Sequence, residues 1–230
     1  MKTIVAGQSV KMHPDIVHFR LEPLVDLNAS RVNVGQVIGY EVLSELRDGL
    51  IPERWFTQLS GRQQINILRQ QIHSVSGKIA DTCFYNLSVE GFLALNHCDI
   101  VDIVAFNHVC LEVSDASVLK CMNEKEQYLF YKNISRLRYL GVKVWVDDFS
   151  IDDLITLPAH KDNIDGIKID KCEIHGRHLK DIVRLVKSVL GNIPVLIEGV
   201  ESERDLNTSM LCGADIAQGY YWEGKNIISA

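Results

Sequence analysis

Short apolar runs alternate with helical segments along most of the chain, and this alternation restricts the fold more than any other feature of the sequence. The strand-like runs occupy residues 17–25, 36–46, 82–87, 107–113, 142–146, 164–169, 193–197 and 214–218. Alternation of this kind predicts a parallel sheet, and eight strands predict a closed (β/α)8 barrel of the TIM type. A doubly wound open sheet is the alternative, but it normally carries a Gly-rich phosphate-binding turn, which the sequence lacks.

The segments between the predicted strands carry helix signals. Pro52 suits a first helical turn, Ser88 is placed to cap a short helix, and Gly77 and Gly141 follow two longer helices. Further helices are predicted at residues 152–157, 173–190 and 203–212. One α/β barrel commonly needs roughly 250 residues, so the 230 residues fit a single barrel domain at 18–230. Residues 1–17 are predicted to be a tail or lead-in.

The composition is that of a folded protein, and it predicts no basic surface that would bind polyanions. Apolar residues make up 47% of the chain, and the formal net charge of −6 leaves no basic stripe for nucleic-acid polymers or anionic membranes. We find no run of about 18 apolar residues and no signal peptide. The six cysteines form no CxxC pair and are interpreted as reduced. We therefore expect a cytoplasmic protein, in which local groups or metal ions would attract any anionic ligand.

The run Val142–Phe149 ends in two adjacent carboxylates, Asp147 and Asp148. Neighbouring carboxylates repel one another and raise each other's pKa, so such a pair usually persists beside a cation. The alternative is that these acids only cap the element that follows the strand.

Polar residues at the ends of the other predicted strands favour the cation. In an α/β barrel the chemistry lies at these carboxyl ends, where side chains from different strands converge. Oxygen donors without Cys or His favour magnesium, manganese or calcium over zinc, and two such ions about 4 Å apart activate water and stabilise a phosphoryl oxygen. The pattern predicts metal-assisted hydrolysis of a phosphate ester by the residues at these ends: Glu41, Asn86, Glu112, Asp147, Asp148, Lys168, Glu198 and Gln218.

Seven short motifs, read in order, make the chain resemble the EAL-domain family of cyclic di-GMP phosphodiesterases over about residues 18–225. They are EVLSE (Glu41–Glu45), NLS (Asn86–Ser88), LEVSD (Leu111–Asp115), VDDF (Val146–Phe149), IKID (Ile167–Asp170), EGVE (Glu198–Glu201) and QGY (Gln218–Tyr220). The resemblance implies hydrolysis of cyclic di-GMP to the linear dinucleotide pGpG with Mg²⁺ or Mn²⁺.

The resemblance also implies roles for individual residues. One metal ion would be held by Glu41, Asn86, Glu112 and Asp147, and a second by Asp148 and Glu198, with Asp147 between the two ions. Catalysis would depend on Glu41, Lys168 and Glu198, with Lys168 orienting or polarising the attacking water. Substrate would be contacted by Leu43, Asp148, Gln218 and Tyr220. For Tyr220 and the neighbouring Tyr221 and Trp222, stacking on guanine and packing at the barrel rim are both open.

Several positions depart from the family pattern. Glu45 stands where the family has a phosphate-facing arginine, and Glu22 stands where it has a neutral glutamine, so both place negative charge near a dianionic ligand. The loop at 150–155 lacks the family's two glycines, and with them the backbone freedom that, by the resemblance, would let this loop fold over the metals and form a dimer contact. Asp115 replaces a longer anchoring glutamate.

Three functions are compatible with this combination of matches and departures. The chain is predicted to be a cyclic di-GMP phosphodiesterase, because every predicted metal ligand is present. Alternatively, it is an inactive regulator that binds a protein partner such as a transcription regulator, or a receptor that binds cyclic di-GMP without cleaving it. A homodimer is possible in each case.

Overall fold

Eight strands close into a barrel, and the first strand runs antiparallel to its two neighbours in that barrel. The computed structural model describes residues 12–28, 35–114 and 116–227. Around the sheet the strand order is β2-β3-β4-β5-β6-β7-β8-β1, and β1 pairs again with β2. The strands are β1 (Ile16–Asp26), β2 (Gln36–Leu46), β3 (Thr82–Leu87), β4 (Val109–Val113), β5 (Lys143–Phe149), β6 (Gly166–Ile169), β7 (Val195–Ile197), β8 (Ile216–Ala217) and β9 (Lys225–Ile227). The predicted (β/α)8 barrel is confirmed.

Helices surround the barrel and pack on its outer face. They are α1 (Pro52–Thr57), α2 (Gly61–Val75), α3 (Val89–Ala94), α4 (His97–Val104), α5 (Glu124–Tyr139), α6 (Leu157–His160), α7 (Leu179–Leu190) and α8 (Glu203–Cys212), with 3-10 turns at Ala116–Cys121, Ile151–Thr156 and Lys171–Glu173. The predicted cap at Ser88 is present, since its side chain accepts a hydrogen bond from the Gly91 amide. Two large apolar clusters fill the space between these helices and the strands.

The prediction of a wholly parallel sheet is wrong at β1. This strand pairs antiparallel with β2, β8 and β9, whereas β2 to β8 are mutually parallel. The connection at residues 27–35 is shorter than the roughly dozen residues that a crossover between parallel strands requires, so β1 and β2 form an antiparallel pair. As a consequence, the first half of β1 lies at the same end of the barrel as the carboxyl ends of β2 to β8.

Other elements also differ from the sequence-based expectation. Helices α4 and α6 and strand β9 were not predicted, and the helix predicted to begin at Glu173 begins at Leu179. Gly176 lies in the intervening segment, and glycine is a poor helix former. Strand β1 starts at Ile16, two positions before the predicted domain start, and the boundary itself stays a prediction, as does the tail that falls mostly outside the described residues.

A layer of apolar side chains fills the barrel beneath the predicted site. The rings of Phe84 and Trp145 meet edge to face, with centroids 5.3 Å apart. Gly166 makes room for this pair, because a Cβ there would lie 2.3 Å from the Trp145 ring. The layer is made of buried side chains from six strands, Leu24, Phe84, Cys110, Trp145, Leu196 and Ile216. Any residue two positions further along one of these strands shares the same interior face.

The buried His160 gives the fold a pH-sensitive position. Only 1% of this residue is exposed, and its Nε2 lies 3.1 Å from Thr156 Oγ1. Its Nδ1 has no hydrogen-bond partner among the described residues. Burial lowers the pKa of His160 to about 4, against a smaller opposing effect of the Asp153 charge. The folded protein therefore holds this imidazole neutral.

Replacing His160 by Gln is expected to remove part of the acid sensitivity of the fold. Between pH 6.5 and about 4 the unfolded chain binds a proton at His160 that the folded chain does not, so stability decreases as pH falls through this window. The unfolding free energy of the wild type should lose about 2 kcal/mol at this position between pH 7 and pH 5. Urea titrations at both pH values measure the loss, with the exposed His178→Gln as control. Equal pH dependence in all three proteins would contradict the assignment.

Candidate active site

A polar layer lies directly above the apolar one, at the carboxyl ends of the strands. Each of its members stands two residues beyond an interior residue of the same strand: Asn86 after Phe84, Glu112 after Cys110, Asp147 after Trp145, Lys168 after Gly166, Glu198 after Leu196 and Gln218 after Ile216. Glu41 on β2 completes the ring, at a position opposite Phe84 of β3 in the parallel register. The structure thus brings these predicted residues together, and their individual roles stay predictions.

Lys168 is the centre of this layer. Its side chain is 0% exposed, and its ammonium nitrogen lies within 3.4 Å of four carboxylates, which are Glu198 (2.8 Å), Glu41 and Asp147 (3.1 Å each) and Glu112 (3.4 Å). Burial opposes the charged form of Lys168, but the surrounding carboxylates outweigh burial and hold its pKa well above the usual value. Lys168 therefore remains a cation, yet a single positive charge cannot balance four negative ones.

The carboxylates differ in how well the protein satisfies them. Glu41 accepts hydrogen bonds from the amide groups of Asn86 and Gln218 and from Lys168. Burial alone would raise its pKa, but the charge of Lys168 and these hydrogen bonds lower it below the usual value. Glu112 is fully buried, and neither of its carboxylate oxygens has a hydrogen-bond partner among the described residues. Glu41 is thus stabilised as an anion and Glu112 is not.

Burial and mutual repulsion dominate at the less satisfied acids. Burial, together with the charges of Glu41 and Asp147, raises the pKa of Glu112 well above its usual value despite Lys168. Burial, and then the charge of Glu41, also raise the pKa of Asp147, and burial with the charges of Asp147 and Glu41 raises that of Glu198. Buried groups of this kind take up protons unless a cation compensates their charge. With all four carboxylates ionised, the site carries more negative charge than Lys168 balances, and a bound cation would neutralise this excess in place of protons.

Asp148 joins the site through an irregularity in β5. Adjacent strand residues normally point to opposite faces, but the pairing of β5 with β6 shifts register between Val146 and Phe149, and Asp148 has a left-handed φ of 52°. Its side chain reaches solvent, although its carboxyl group is partly enclosed. This enclosure, and then repulsion from Asp147, raise the pKa of Asp148 to about 7.

The acids form two groups that are suited to metal ions. Ligand atoms of Glu41, Glu112 and Asp147 lie within 4.8 Å of one another, and so do those of Asp147, Asp148 and Glu198. Asp147 belongs to both groups. Hard oxygen donors in this arrangement fit magnesium, manganese or calcium. Among the described residues, Glu112 Oε2 and Gln218 Oε1 have neither a hydrogen bond nor an ion pair, which indicates the same need for a ligand.

A cavity of about 360 Å³ opens above the two groups. Leu43 and Tyr220, both predicted to contact substrate, line it together with Asp148 and Gln218. Tyr220 is 75% exposed, so its ring is free to meet a ligand, whereas Trp222 packs on the apolar cluster beside the barrel. Packing at the barrel rim therefore describes Trp222, and stacking of Tyr220 on guanine stays a prediction.

Sequence reasoning missed Arg20, which lies in the inverted strand β1 and also lines the cavity. Its guanidinium forms ion pairs with Glu22 (2.9 Å) and Glu45 (2.7 Å). The repulsion that we expected from these two acids is therefore offset by a neighbouring cation. The i, i+2 spacing of Arg20 and Glu22 on one strand was the available signal.

The loop after Asp148 is held by side chains instead of glycines. Ser150 donates its amide and hydroxyl to Asp153 (3.0 and 2.8 Å), and Asp153 forms an ion pair with Lys120 (2.8 Å). The Ile151 amide donates to Glu173 at 2.9 Å. The predicted short polar helix is present as the 3-10 turn Ile151–Thr156. Asp115, predicted to anchor this loop, lies outside the described residues.

A family model described as the EAL domain matches residues 15–224. The chain belongs to the EAL domain family. It is 34% identical over 129 residues to the probable cyclic di-GMP phosphodiesterase PdeI of Escherichia coli K12, a match that covers 54% of this chain and 16% of that protein. It is 35% identical over 120 residues to an uncharacterized signaling protein of Caulobacter vibrioides, covering 48% and 14%. The chain thus spans a small part of the length of these two relatives.

Several solved structures share the fold of this chain. The PaMucR phosphodiesterase, solved as a c-di-GMP complex, superposes with a TM-score of 0.67 at 20% identity, covering 92% of this chain and 97% of that one. The manganese/cy-diGMP complex of Klebsiella pneumoniae BlrP1 at pH 9.0 gives 0.72 at 20% identity, covering 97% and 58%. The predicted EAL-type barrel is confirmed. In the described part of the chain, no helix has the length and apolar character needed to cross a bilayer.

Proposed function

We propose that this EAL domain is a cytoplasmic phosphodiesterase that hydrolyses cyclic di-GMP to linear pGpG with two Mg²⁺ or Mn²⁺ ions. The observation that carries the proposal is the presence of two clusters of acidic residues, which share Asp147 and lie beneath an open cavity. The similarity to a relative named as a probable cyclic di-GMP phosphodiesterase supports the choice of substrate.

The residues of the site would have different roles in the reaction. Glu41, Asn86, Glu112 and Asp147 would hold one ion, and Asp148 and Glu198 would hold the other together with Asp147. When bound, the ions supply Lewis acidity toward water and a phosphoryl oxygen. Lys168, fixed by four carboxylates, would donate a hydrogen bond that orients the attacking water. Gln218 Oε1, which has no hydrogen-bond partner among the described residues, would accept a hydrogen bond from the same water.

Turnover is expected to require a divalent metal ion. Purified protein incubated with cyclic di-GMP and Mn²⁺, or Mg²⁺, should release linear pGpG, which chromatography separates from the substrate. Excess EDTA should reduce the rate at least about a thousandfold, since two-metal chemistry contributes several kcal/mol to the barrier. Added Mn²⁺ should restore it. Product formed equally in EDTA, or no product at high protein concentration, would contradict the proposal.

A second candidate function is regulation through a protein partner such as a transcription regulator. The observation in its favour is the loop after Asp148, which is anchored at Ile151 and Asp153 and presents Ile155 at 82% exposure. The same surface could serve a homodimer. Absence of turnover combined with saturable binding of cyclic di-GMP in Ca²⁺ would instead favour a receptor that does not cleave its ligand.

A further inference from the structure

Arg20 occupies the boundary between two cavities at the mouth of the barrel. In the β1–β2 register it lies opposite Leu43, with Glu22 opposite Glu41. Arg20, Glu22 and Leu43 all line the cavity above the carboxylates. Arg20 and Leu43 also line a neighbouring cavity of about 380 Å³ that extends toward Trp55. A ligand that extends from the acidic site into the second cavity passes Arg20.

The two ion pairs of Arg20 hold its guanidinium in place but do not use all of its hydrogen-bond donors. Glu45 accepts from Nε and Glu22 accepts from Nη1, and neither ion pair uses Nη2. The side chain remains 26% exposed. Two carboxylates around one guanidinium leave this cluster with one excess negative charge, so an incoming phosphate must compete with Glu22 and Glu45 for the same donors.

Few cations line the cavity. Lys168 lies beneath it, enclosed by four carboxylates, and is completely buried. Among the described lining residues, Arg20 and Lys171 are the cations, against the acids Glu22, Glu41, Asp147, Asp148, Glu198 and Glu201. A guanidinium matches two phosphate oxygens with a planar pair of donors, whereas an ammonium is a point charge on a flexible stem. Arg20 is therefore the lining residue best suited to hold a phosphate.

We infer that Arg20 binds a phosphate of the ligand, and that Glu22 and Glu45 position its guanidinium while weakening that binding through competition. The inference rests on the proposed function, because it takes cyclic di-GMP as the ligand. It assigns a specificity-determining contact to the inverted first strand, outside the ring of residues at the carboxyl ends of the parallel strands.

Paired variants separate direct contact from simple charge neutralisation. Calorimetry with cyclic di-GMP in Ca²⁺, the ion in one solved EAL complex, would compare E22Q/E45Q with R20Q/E22Q/E45Q. With the competing acids neutral, the first variant should bind at least about tenfold more tightly than the wild type. The second should lose at least about tenfold relative to the first. Equal affinity of the two variants would show that Arg20 only neutralises the acids, and would overturn the inference.

A third variant, K171Q/E22Q/E45Q, controls for net charge, since it removes the same unit charge from the other lining cation. Its loss of affinity should be several-fold smaller than that of R20Q/E22Q/E45Q, and an equal loss would overturn the inference. Thermal unfolding identifies variants that fail to fold. No binding heat in the wild type or any folded variant would refute the proposed function as well, whereas wild-type binding with no Arg20 effect refutes the inference alone.

Discussion

Glu112→Gln is expected to abolish turnover while making the metal-free protein more stable. Both carboxylate oxygens of Glu112 are buried without a hydrogen-bond donor among the described residues, and the nearest cation, Lys168, is 3.4 Å away. An unsatisfied buried polar group costs about 1–3 kcal/mol, and more when it is charged. A neutral amide of similar shape should therefore raise the unfolding free energy by about 1–2 kcal/mol. As a lost metal ligand, the substitution should reduce turnover about a thousandfold.

Glu41→Gln is the matched comparison within the same cluster. Glu41 accepts hydrogen bonds from Asn86, Gln218 and Lys168, so its charge is stabilised where that of Glu112 is not. This substitution should also abolish turnover, but it should destabilise the metal-free protein. Urea unfolding in EDTA at pH 8 and product assays in Mn²⁺ measure the two effects. A decrease in stability for both variants would mean that Glu112 is satisfied in the apo protein.

A distant acid controls for the general effect of removing a carboxylate. Asp165 lies immediately before β6, at the opposite end of that strand from the site, where it accepts from the Val144 amide and pairs with Arg138. Asp165→Asn should lower stability and leave turnover within a few-fold of the wild type. Loss of turnover comparable to that of Glu112→Gln would indicate that folding, rather than metal binding, explains the effect.

Most of the site could be predicted because its residues follow the two-residue alternation of side chains along a β-strand. Asn86, Glu112 and Lys168 each lie near the end of an apolar run, and each stands two positions after an interior residue. In a closed parallel barrel, equivalent strand ends face one another, so local pattern alone places these side chains together. The same logic places Glu198 and Gln218, although both lie just beyond short strands.

The remainder depends on geometry that no local pattern encodes. Asp148 reaches the site through a register shift and a left-handed φ, whereas strict alternation would turn it away from Asp147. Arg20 enters the site because β1 is inverted, which follows from the short connection to β2 and not from the residues around Arg20. Its pairing with Glu45 joins residues on neighbouring strands, and sequence reasoning treated Glu45 as an isolated charge.

Lys168→Met is expected to destabilise the chain most where neither protons nor metal ions replace the lost cation. Removing one partner from a buried ion pair costs about 3–5 kcal/mol, because it leaves uncompensated charge in the interior. Here four carboxylates lose their shared partner. The loss of unfolding free energy should be largest at pH 8 in EDTA and smaller at pH 5, where the carboxyl groups can take up protons. Turnover in Mn²⁺ should fall at least about a hundredfold, as for other lost electrostatic donors.

Lys187→Met provides the control, since Lys187 pairs with Asp215 at 2.8 Å in a partly exposed position away from the site. Loss of such a pair should cost less than about 1 kcal/mol, with little dependence on metal ions. Ca²⁺ should raise the melting temperature of Lys168→Met by more than it raises that of the wild type or of Lys187→Met, because the ion compensates charge that Lys168 otherwise balances. Equal stability of the two variants at pH 8 in EDTA would show that the carboxylates do not depend on Lys168, and the excess negative charge inferred for the site would then be wrong.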